Sequence, residues 1–232
     1  MMETDKMYCY KYPHPAVTTD CVIFGYDGSD LKLLLIERGI EPYKGKWALP
    51  GGFMRIDETA EECAKRELCE ETGLNNVEVR QFHAFTGVDR DPRERVVTIS
   101  YCALVRLSEV KGGDDAAEAS WFSVERLPQL AFDHQLIVDA AYKYLRERIY
   151  FEPIGFDLLP EVFTMPMLQH LYETILGVKF DRRNFAGKMR KTGILESVDD
   201  RAENTPTRVP RKYKFNRAKY EECRQRIIRF EF

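Results

Sequence analysis

Apolar positions along the chain fall into two regimes. AVTTDCVIFGYDG (residues 16–28) and LKLLLIERG (31–39) are β-branched or Leu-rich runs separated by a Gly-Ser-Asp turn, which predicts a hairpin. VEVRQFHAFTGV (77–88) and RVVTISYCALVRL (95–107) predict two more strands, with RDPRER as the loop between them, and DDAAEASWFSVERLP (114–128) a short strand and a turn. DHQLIVDAAYKYLRERI (133–149) changes period: Ile137, Ala141, Tyr144 and Leu145 share one helical face. Between the first hairpin and the later strands, Thr59 with Glu62 three residues on forms a capping box, and Gly73 followed by Leu74 a stop, so a helix is predicted between them with Ala60, Cys63, Ala64 and Leu68 as its packing stripe. Strands flanking that helix, with helices covering the sheet, predict an α/β (α+β) sandwich over residues 1–150.

Beyond residues 148–153 the pattern changes again. FTMPMLQHLYETILG (163–177) has Thr164 as N-cap, Pro166 in the first turn, an apolar stripe of Leu168, Leu171, Tyr172 and Ile175, and Gly177 as stop. FDRRNFAGKMRKTG (180–193) restarts at Asp181, with Phe185 and Met189 facing inward. TGILESV and RKYKFN are strand-like and joined by DDRAENTPTRVP; Tyr213 and Phe215 alternate with Lys212, Lys214 and Asn216. A helix-turn-helix followed by a hairpin predicts a small winged helix over residues 151–232. Its alternative is a basic module for RNA, for an acidic protein or for dimerisation.

Charge sharpens this division. The 232 residues carry a net charge of −3, yet residues 1–178 hold 19 Lys and Arg against 30 Asp and Glu, and residues 179–219 hold 13 against 5. The basic block predicts a polyanionic partner, with Arg183, Asn184, Arg190 and Lys191 on the second helix and Arg208, Arg211 and Lys212 on the wing as candidate contacts to double-stranded DNA. The N-terminus has no apolar signal core and no stretch is long and apolar enough to span a bilayer, which predicts a cytoplasmic protein without a membrane partner. Six scattered cysteines without a C-x-x-C pair argue against a zinc site or a disulfide framework.

The densest chemistry lies in GGFMRIDETAEECAKRELCEETGL (51–74), with seven carboxylates in 24 residues. Glu67, Glu70 and Glu71 fall at i, i+3 and i+4, on one arc of the predicted helix. Like charges that close destabilise a helix unless a cation offsets them, and hard divalent cations take carboxylate oxygens. A solvated acidic face is the alternative. Gly51 and Gly52 predict a loop that lets backbone approach a ligand.

The spacing decides between these readings. Gly52, Glu58, Arg66, Glu67, Leu68, Glu70, Glu71, Gly73 and Leu74 fill every fixed position of G-x5-E-x7-R-E-U-x-E-E-x-G-U, so the chain resembles the Nudix hydrolases. The resemblance implies Mg²⁺ or Mn²⁺ bound by Glu67, Glu70 and Glu71, with Arg66 orienting a carboxylate and Glu58 as its partner or an added metal contact; Glu58, Arg66, Glu70 and Glu71 are then the catalytic set. It implies hydrolysis of a nucleoside diphosphate linked to another moiety. Glu94 and Glu118 are distal candidates for the general base, beside a box glutamate. KWALPGGF and RDPRERVVTISYCAL look like the subgroup acting on ADP-ribose and related nucleotides, which makes Trp47, Gly51, Gly52, Phe53, Arg90, Arg93 and Arg95 candidate substrate contacts. For the arginines the alternative is pairing with Asp89, Asp91 and Glu94, and for Trp47 and Phe53 it is burial.

FEPIGFDLLPEVFTMPMLQHLYETILG and FDRRNF extend the resemblance to bacterial regulators that join a Nudix-like domain to a winged helix, including regulators of NAD metabolism and arabinose-responsive repressors. That resemblance implies a homodimer, a nucleotide or sugar effector and a DNA operator. Three functions follow as expectations: a regulator that binds and hydrolyses its ligand, a plain pyrophosphohydrolase, and a catalytically silent sugar sensor. The complete box favours the first.

Overall fold

Strand β1 (Ala16–Tyr26) organises the N-terminal part, and the computed structural model describes it within residues 9–113, 115–198 and 210–224. From Thr18 onward β1 is buried on both faces. Val22 and Phe24 belong to one apolar cluster and Cys21 and Ile23 to another, which explains a run of apolar residues without alternation. The same division splits β2 (Leu31–Arg38), whose Leu31, Leu33 and Leu35 face one cluster and Leu34 and Ile36 the other.

The remaining strands are β3 (Trp47–Ala48), β4 (Gly51–Phe53), β5 (Arg80–Phe85), β6 (Val96–Arg106) and β7 (Ala116–Ser123). β1 and β2 form the predicted antiparallel hairpin, with Phe24 opposite Leu33. The tip is an Asx turn in which Asp27 Oδ1 accepts from the amides of Ser29 (2.8 Å) and Asp30 (2.7 Å). On its other side β1 pairs in parallel with β6 over its whole length, from Ala16 opposite Val96 to Tyr26 opposite Arg106. β5 continues that edge antiparallel to β6, and β7 lies antiparallel on β2. β4 takes the start of β1, pairing Thr18, Thr19 and Asp20 with Phe53, Gly52 and Gly51, whereas β2 takes its end. β1 thus has two different partners along one edge, and the sheet splits between them.

Helix α1 (Ala60–Thr72) carries both halves of the expected capping box and ends at left-handed Gly73 (φ 75°). Cys63, Ala64 and Leu68 pack it on one face of the sheet. Helix α2 (His134–Arg148) covers the other face through Ile137, Val138, Ala141 and Leu145. Among the described residues no helix is long and apolar enough to cross a membrane.

After α2 a 3-10 turn (Phe156–Leu158) leads to β8 (Phe163–Thr164), α3 (Met165–Leu176), α4 (Arg182–Lys191), β9 (Leu195–Ser197), β10 (Lys212–Phe215) and α5 (Arg217–Arg224). The expected caps form: Thr164 accepts from the Met167 amide, and Asp181 from Arg183 and Asn184. β8 joins β9 and β10 in the order β8-β10-β9, so the predicted two-stranded wing is a three-stranded sheet. β8 and α5 carry no pattern long enough to be read from the chain alone. The second core gathers Leu168, Leu171, Tyr172, Ile175, Phe185, Met189 and Tyr213, with Phe156 stacked on Phe215 at 4.5 Å.

Both parts share one continuous apolar cluster, reaching from Val22 and Ile137 to Leu171 and Met189. Polar contacts reinforce it: Arg106 donates to the Leu159 carbonyl at 2.6 Å, and His170 Nε2 lies 3.1 Å from the Ser29 carbonyl at the hairpin tip. Leu34 is fully buried between sheet and α1. Leu34→Ala is expected to lower unfolding free energy by about 2–5 kcal/mol, whereas Ile56→Ala, at a position 74% exposed, changes it by less than about 0.5 kcal/mol. Urea unfolding of the two variants checks this.

Candidate functional site

Where β4 and β2 part company on β1, a cavity of about 270 Å³ opens. Its floor holds Thr18 and Asp20, one wall is the Gly51–Gly52 backbone, and α1 projects Arg66, Glu67 and Glu71 into it. Gly51 is a steric requirement of the backbone, and Gly52 leaves the room in which the Glu67 carboxylate sits. A Cβ on Gly51 would lie 2.0 Å from the Thr19 carbonyl oxygen, and one on Gly52 would lie 2.4 Å from the Glu67 carboxyl carbon. The Gly51 amide donates to Glu71 at 2.8 Å.

Arg66 is the hub of the carboxylates. Its Nη2 and Nε grip Glu58 at 2.6 and 2.9 Å, and its Nη1 reaches Glu67 at 2.6 Å and Glu70 at 2.9 Å. The Arg66 bonds lower the pKa of Glu58 to about 2, and the three carboxylates raise that of the guanidinium. Glu67 and Glu71 behave differently. Burial raises the pKa of both, that of Glu71 to about 8, with repulsion from Glu70 and Glu58 adding to the shift of Glu67 and repulsion from Glu67 and Asp20 to that of Glu71.

Among the described residues no three acidic, histidine or cysteine groups already converge as a metal cage. The donor chemistry nevertheless fits a divalent cation. Glu67 and Glu71 are desolvated hard-oxygen donors whose charged form lacks a full cationic balance, and the bare Cα of Gly52 leaves Glu67 its place.

The opposite wall is cationic and aromatic. Arg93 lines the cavity, lies over Phe53 (5.0 Å to the ring centroid) and Phe132 (5.8 Å), and pairs with Asp91 at 2.7 Å. Arg90 also lines it but does not bond Asp89; it holds Asp133 through two bonds of 3.0 and 2.7 Å and reaches Asp20 at 3.3 Å. Arg38 is the residue the pattern did not single out. It completes the wall, lies 5.0 Å over Phe132, and has its pKa lowered by burial and by the facing charge of Arg93. Two guanidiniums that repel one another in a partly buried wall suit an anion. Its only signal in the chain is a charge ending the apolar run LKLLLIER. Arg55, His134 and Phe132 also line the cavity unforeseen; Arg55 lies just past the Gly51–Phe53 strand, while Phe132 and His134 come from the distant start of α2.

Gly51, Gly52, Phe53, Arg90 and Arg93 are therefore brought together, and two expected contacts lie elsewhere. Trp47 packs edge-on against Phe122 at 4.5 Å, behind the sheet. Arg95 donates to the backbone carbonyls of Gly87 and Thr86 and braces its own loop. Glu94 and Glu118 are exposed, and Glu118 accepts from Ser120 at 2.7 Å.

On α4, Phe185 and Met189 face the core, so Arg183, Asn184, Arg190 and Lys191 are all exposed. Lys212 is exposed on β10 and Arg211 half-buried beside it, while Arg208 lies outside the described residues.

Comparison with known proteins matches residues 14–141 to the NUDIX domain and residues 155–215 to the NrtR DNA-binding winged helix domain. The chain is 35% identical over 193 residues to the ADPR responsive transcriptional repressor NtrR of Acinetobacter baylyi, covering 81% of this chain and 77% of that one. It is 46% identical over 127 residues to an ADP-ribose pyrophosphatase of Methanocaldococcus jannaschii, covering 55% of this chain and 73% of that one. The crystal structure of Shewanella oneidensis NrtR complexed with a 27mer DNA superposes with a TM-score of 0.70 at 28% identity, covering 88% of this chain and 95% of that one.

The Glu71 carboxyl must lose its proton to bind a cation. With a pKa of about 8, Mg²⁺ or Mn²⁺ affinity is expected to strengthen by up to about tenfold per pH unit as pH rises toward 8, and to level off above it. Calorimetric titration of Mn²⁺ between pH 6 and 9 measures this for the wild type and Glu71→Gln, and equal affinity of the two proteins at pH 9 would remove Glu71 from the metal shell.

Proposed function

The chain belongs to the Nudix family, with an NrtR-type winged helix behind its Nudix domain, and from that premise we propose a DNA-binding regulator whose cavity binds and hydrolyses ADP-ribose. The observation that carries this reading is the cavity itself, where desolvated Glu67 and Glu71 face Arg38 and Arg93 across a space bounded by glycine backbone. A diphosphate needs both sides: guanidinium forks for its oxygens and carboxylates for the cation that accompanies it.

In this mechanism Glu67, Glu70 and Glu71 would hold Mg²⁺ or Mn²⁺, with Arg66, itself gripped by Glu58, setting the positions of Glu67 and Glu70. When bound, the cation acts as a Lewis acid toward the diphosphate and lowers the pKa of the attacking water. Arg38 and Arg93 hold the phosphates, and Phe53 and Phe132, already in contact with Arg93, present ring faces to the rest of the nucleotide. The Gly51 amide bonded to Glu71 keeps that carboxylate turned into the cavity.

The same chain carries the polyanion-binding part. A helix with four exposed cationic or amide side chains at Arg183, Asn184, Arg190 and Lys191, docked on α3 through Phe185 and Met189, suits insertion into a major groove. Lys212 and Arg211, with Arg208, serve the phosphate backbone beside it. A homodimer would present two such helices to a palindromic operator. The relatives named for ADP-ribose support the ligand and the relative solved with DNA supports the partner.

Two outcomes test the reading. ADP-ribose should be turned over in Mg²⁺ or Mn²⁺, and Glu70→Gln should cut that turnover at least about 100-fold while DNA affinity stays unchanged; binding without turnover would leave the cavity a sensor. Replacing both Arg183 and Arg190 with Glu should weaken duplex DNA binding by roughly two orders of magnitude, with ADP-ribose turnover intact. If the double variant kept its salt-sensitive DNA binding in an anisotropy titration, a different face would have to dock.

A further inference from the structure

Helix α2 is the element with one end in the cavity and the other on the winged helix. At its N-terminal end His134 Nδ1 accepts the Leu49 amide at 2.9 Å, just before the Pro50–Gly52 loop, and its Nε2 faces Asp20 at 3.6 Å. Ala131, just ahead of α2, donates to the Trp47 carbonyl at 2.8 Å. At its C-terminal end Arg146 donates to the Leu176 carbonyl, in the last turn of α3, and Leu145 and Ile149 lie in the core shared with Leu171 and Ile175. A helix of 15 residues spans about 22 Å, so a displacement at one end is carried rigidly to the other.

Asp133 is the N-cap of this helix, yet its side chain makes no capping hydrogen bond. Aspartate is among the preferred N-cap residues because its carboxylate accepts amides of the first turn. Here both carboxylate oxygens are taken by Arg90, at 3.0 and 2.7 Å. The Arg90 side chain is only 5% exposed and lines the cavity next to Arg93. The Asp133 backbone (φ −93°, ψ 18°) also lies outside the extended region of an N-cap, so the side chain can reach the start of its own helix only by a backbone shift that draws it away from the cavity guanidinium.

We infer that the Arg90–Asp133 pair is the switch by which an occupied cavity acts on the winged helix. The inference rests on the proposed binding of a diphosphate in this cavity. A phosphate that takes the place of Asp133 on Arg90, while Asp20 keeps its 3.3 Å contact, replaces one charge-assisted pair with another, so the exchange is close to balanced, as a ligand-driven switch requires. The released Asp133 turns back to cap α2, the first turn of the helix reseats, and with it the His134 contact to the glycine loop. The C-terminal turn moves with the rest of α2, and Arg146 passes the change to the end of α3. The Gly177 and Val178 amides there both donate to Glu173, at 2.9 and 3.3 Å, and report any loosening of that turn.

Hydrogen exchange of the full chain tests this, with ADP-ribose as the probe and Ca²⁺ in place of Mg²⁺ or Mn²⁺ to suppress turnover while a cation still accompanies the diphosphate. Without ligand, Asp133→Asn and Arg90→Lys, which keeps the charge but not the two-pronged pair, should each change exchange at Gly177 and Val178 at least about fivefold, the lower end of allosteric coupling factors. The double variant should add nothing to either single one, because both break the same pair. Wild-type protein with ADP-ribose should show the same change, and Asp133→Asn with ADP-ribose no further one. Altered exchange confined to the first turn of α2, or additive effects of the two substitutions, overturns the switch. The same ligand-free change in both variants, with no binding heat for ADP-ribose in calorimetry with or without Ca²⁺, would uphold the switch and reject ADP-ribose as its ligand.

Discussion

Four of the six carboxylates between Glu58 and Glu71 have to be held together beside a desolvated glycine loop, and the Arg66 guanidinium is what makes that arrangement tolerable. One planar cation with five donors satisfies Glu58, Glu67 and Glu70 at once, a geometry that a lysine could not reproduce. Glu71 is left with the Gly51 amide as its own partner and stays buried. The capping box of α1, the close packing of Gly51 and Gly52 and the pairing of β4 on β1 all serve to keep this charged cluster in register with the cavity.

Opposite this cluster lies a second charge imbalance of the other sign. Arg38 and Arg93 face one another, Arg93 paired with Asp91, while Arg90 is held by Asp133 and Asp20. Their separation across about 270 Å³ makes the cavity suited to an anion that travels with a cation, and poorly suited to a neutral sugar alone.

Regulation in such a chain depends on the lack of a clean break between its two parts. The apolar cluster under α2 continues into the core beneath α3, and the hairpin tip at Ser29 meets His170. Two bodies joined by a loose linker would pass little information between them. A shared core makes the seating of α2 common to the cavity and to α4.

Much of this architecture was legible in the chain, because periodicity, caps and the box spacing are local signals. The α1 limits follow from Thr59, Glu62 and Gly73, those of α3 and α4 from Thr164, Gly177 and Asp181, and the Glu67, Glu70 and Glu71 arc from helical repeat alone. Tertiary structure decided what depends on non-local pairing. The parallel match of β1 with β6 and its fork between β4 and β2 join segments about 80 and 30 residues apart, and no local pattern encodes them. That fork admits Arg38 and Phe132 to the cavity and sends Trp47 behind the sheet, since one residue along a strand reverses the face a side chain takes. It also commits Arg90 to Asp133, 43 residues away, where the chain alone offered Asp89 and Asp91 as nearer partners. Residue type and spacing determined which chemistry was available, and folding determined which charges were neutralised and which were left to meet a ligand.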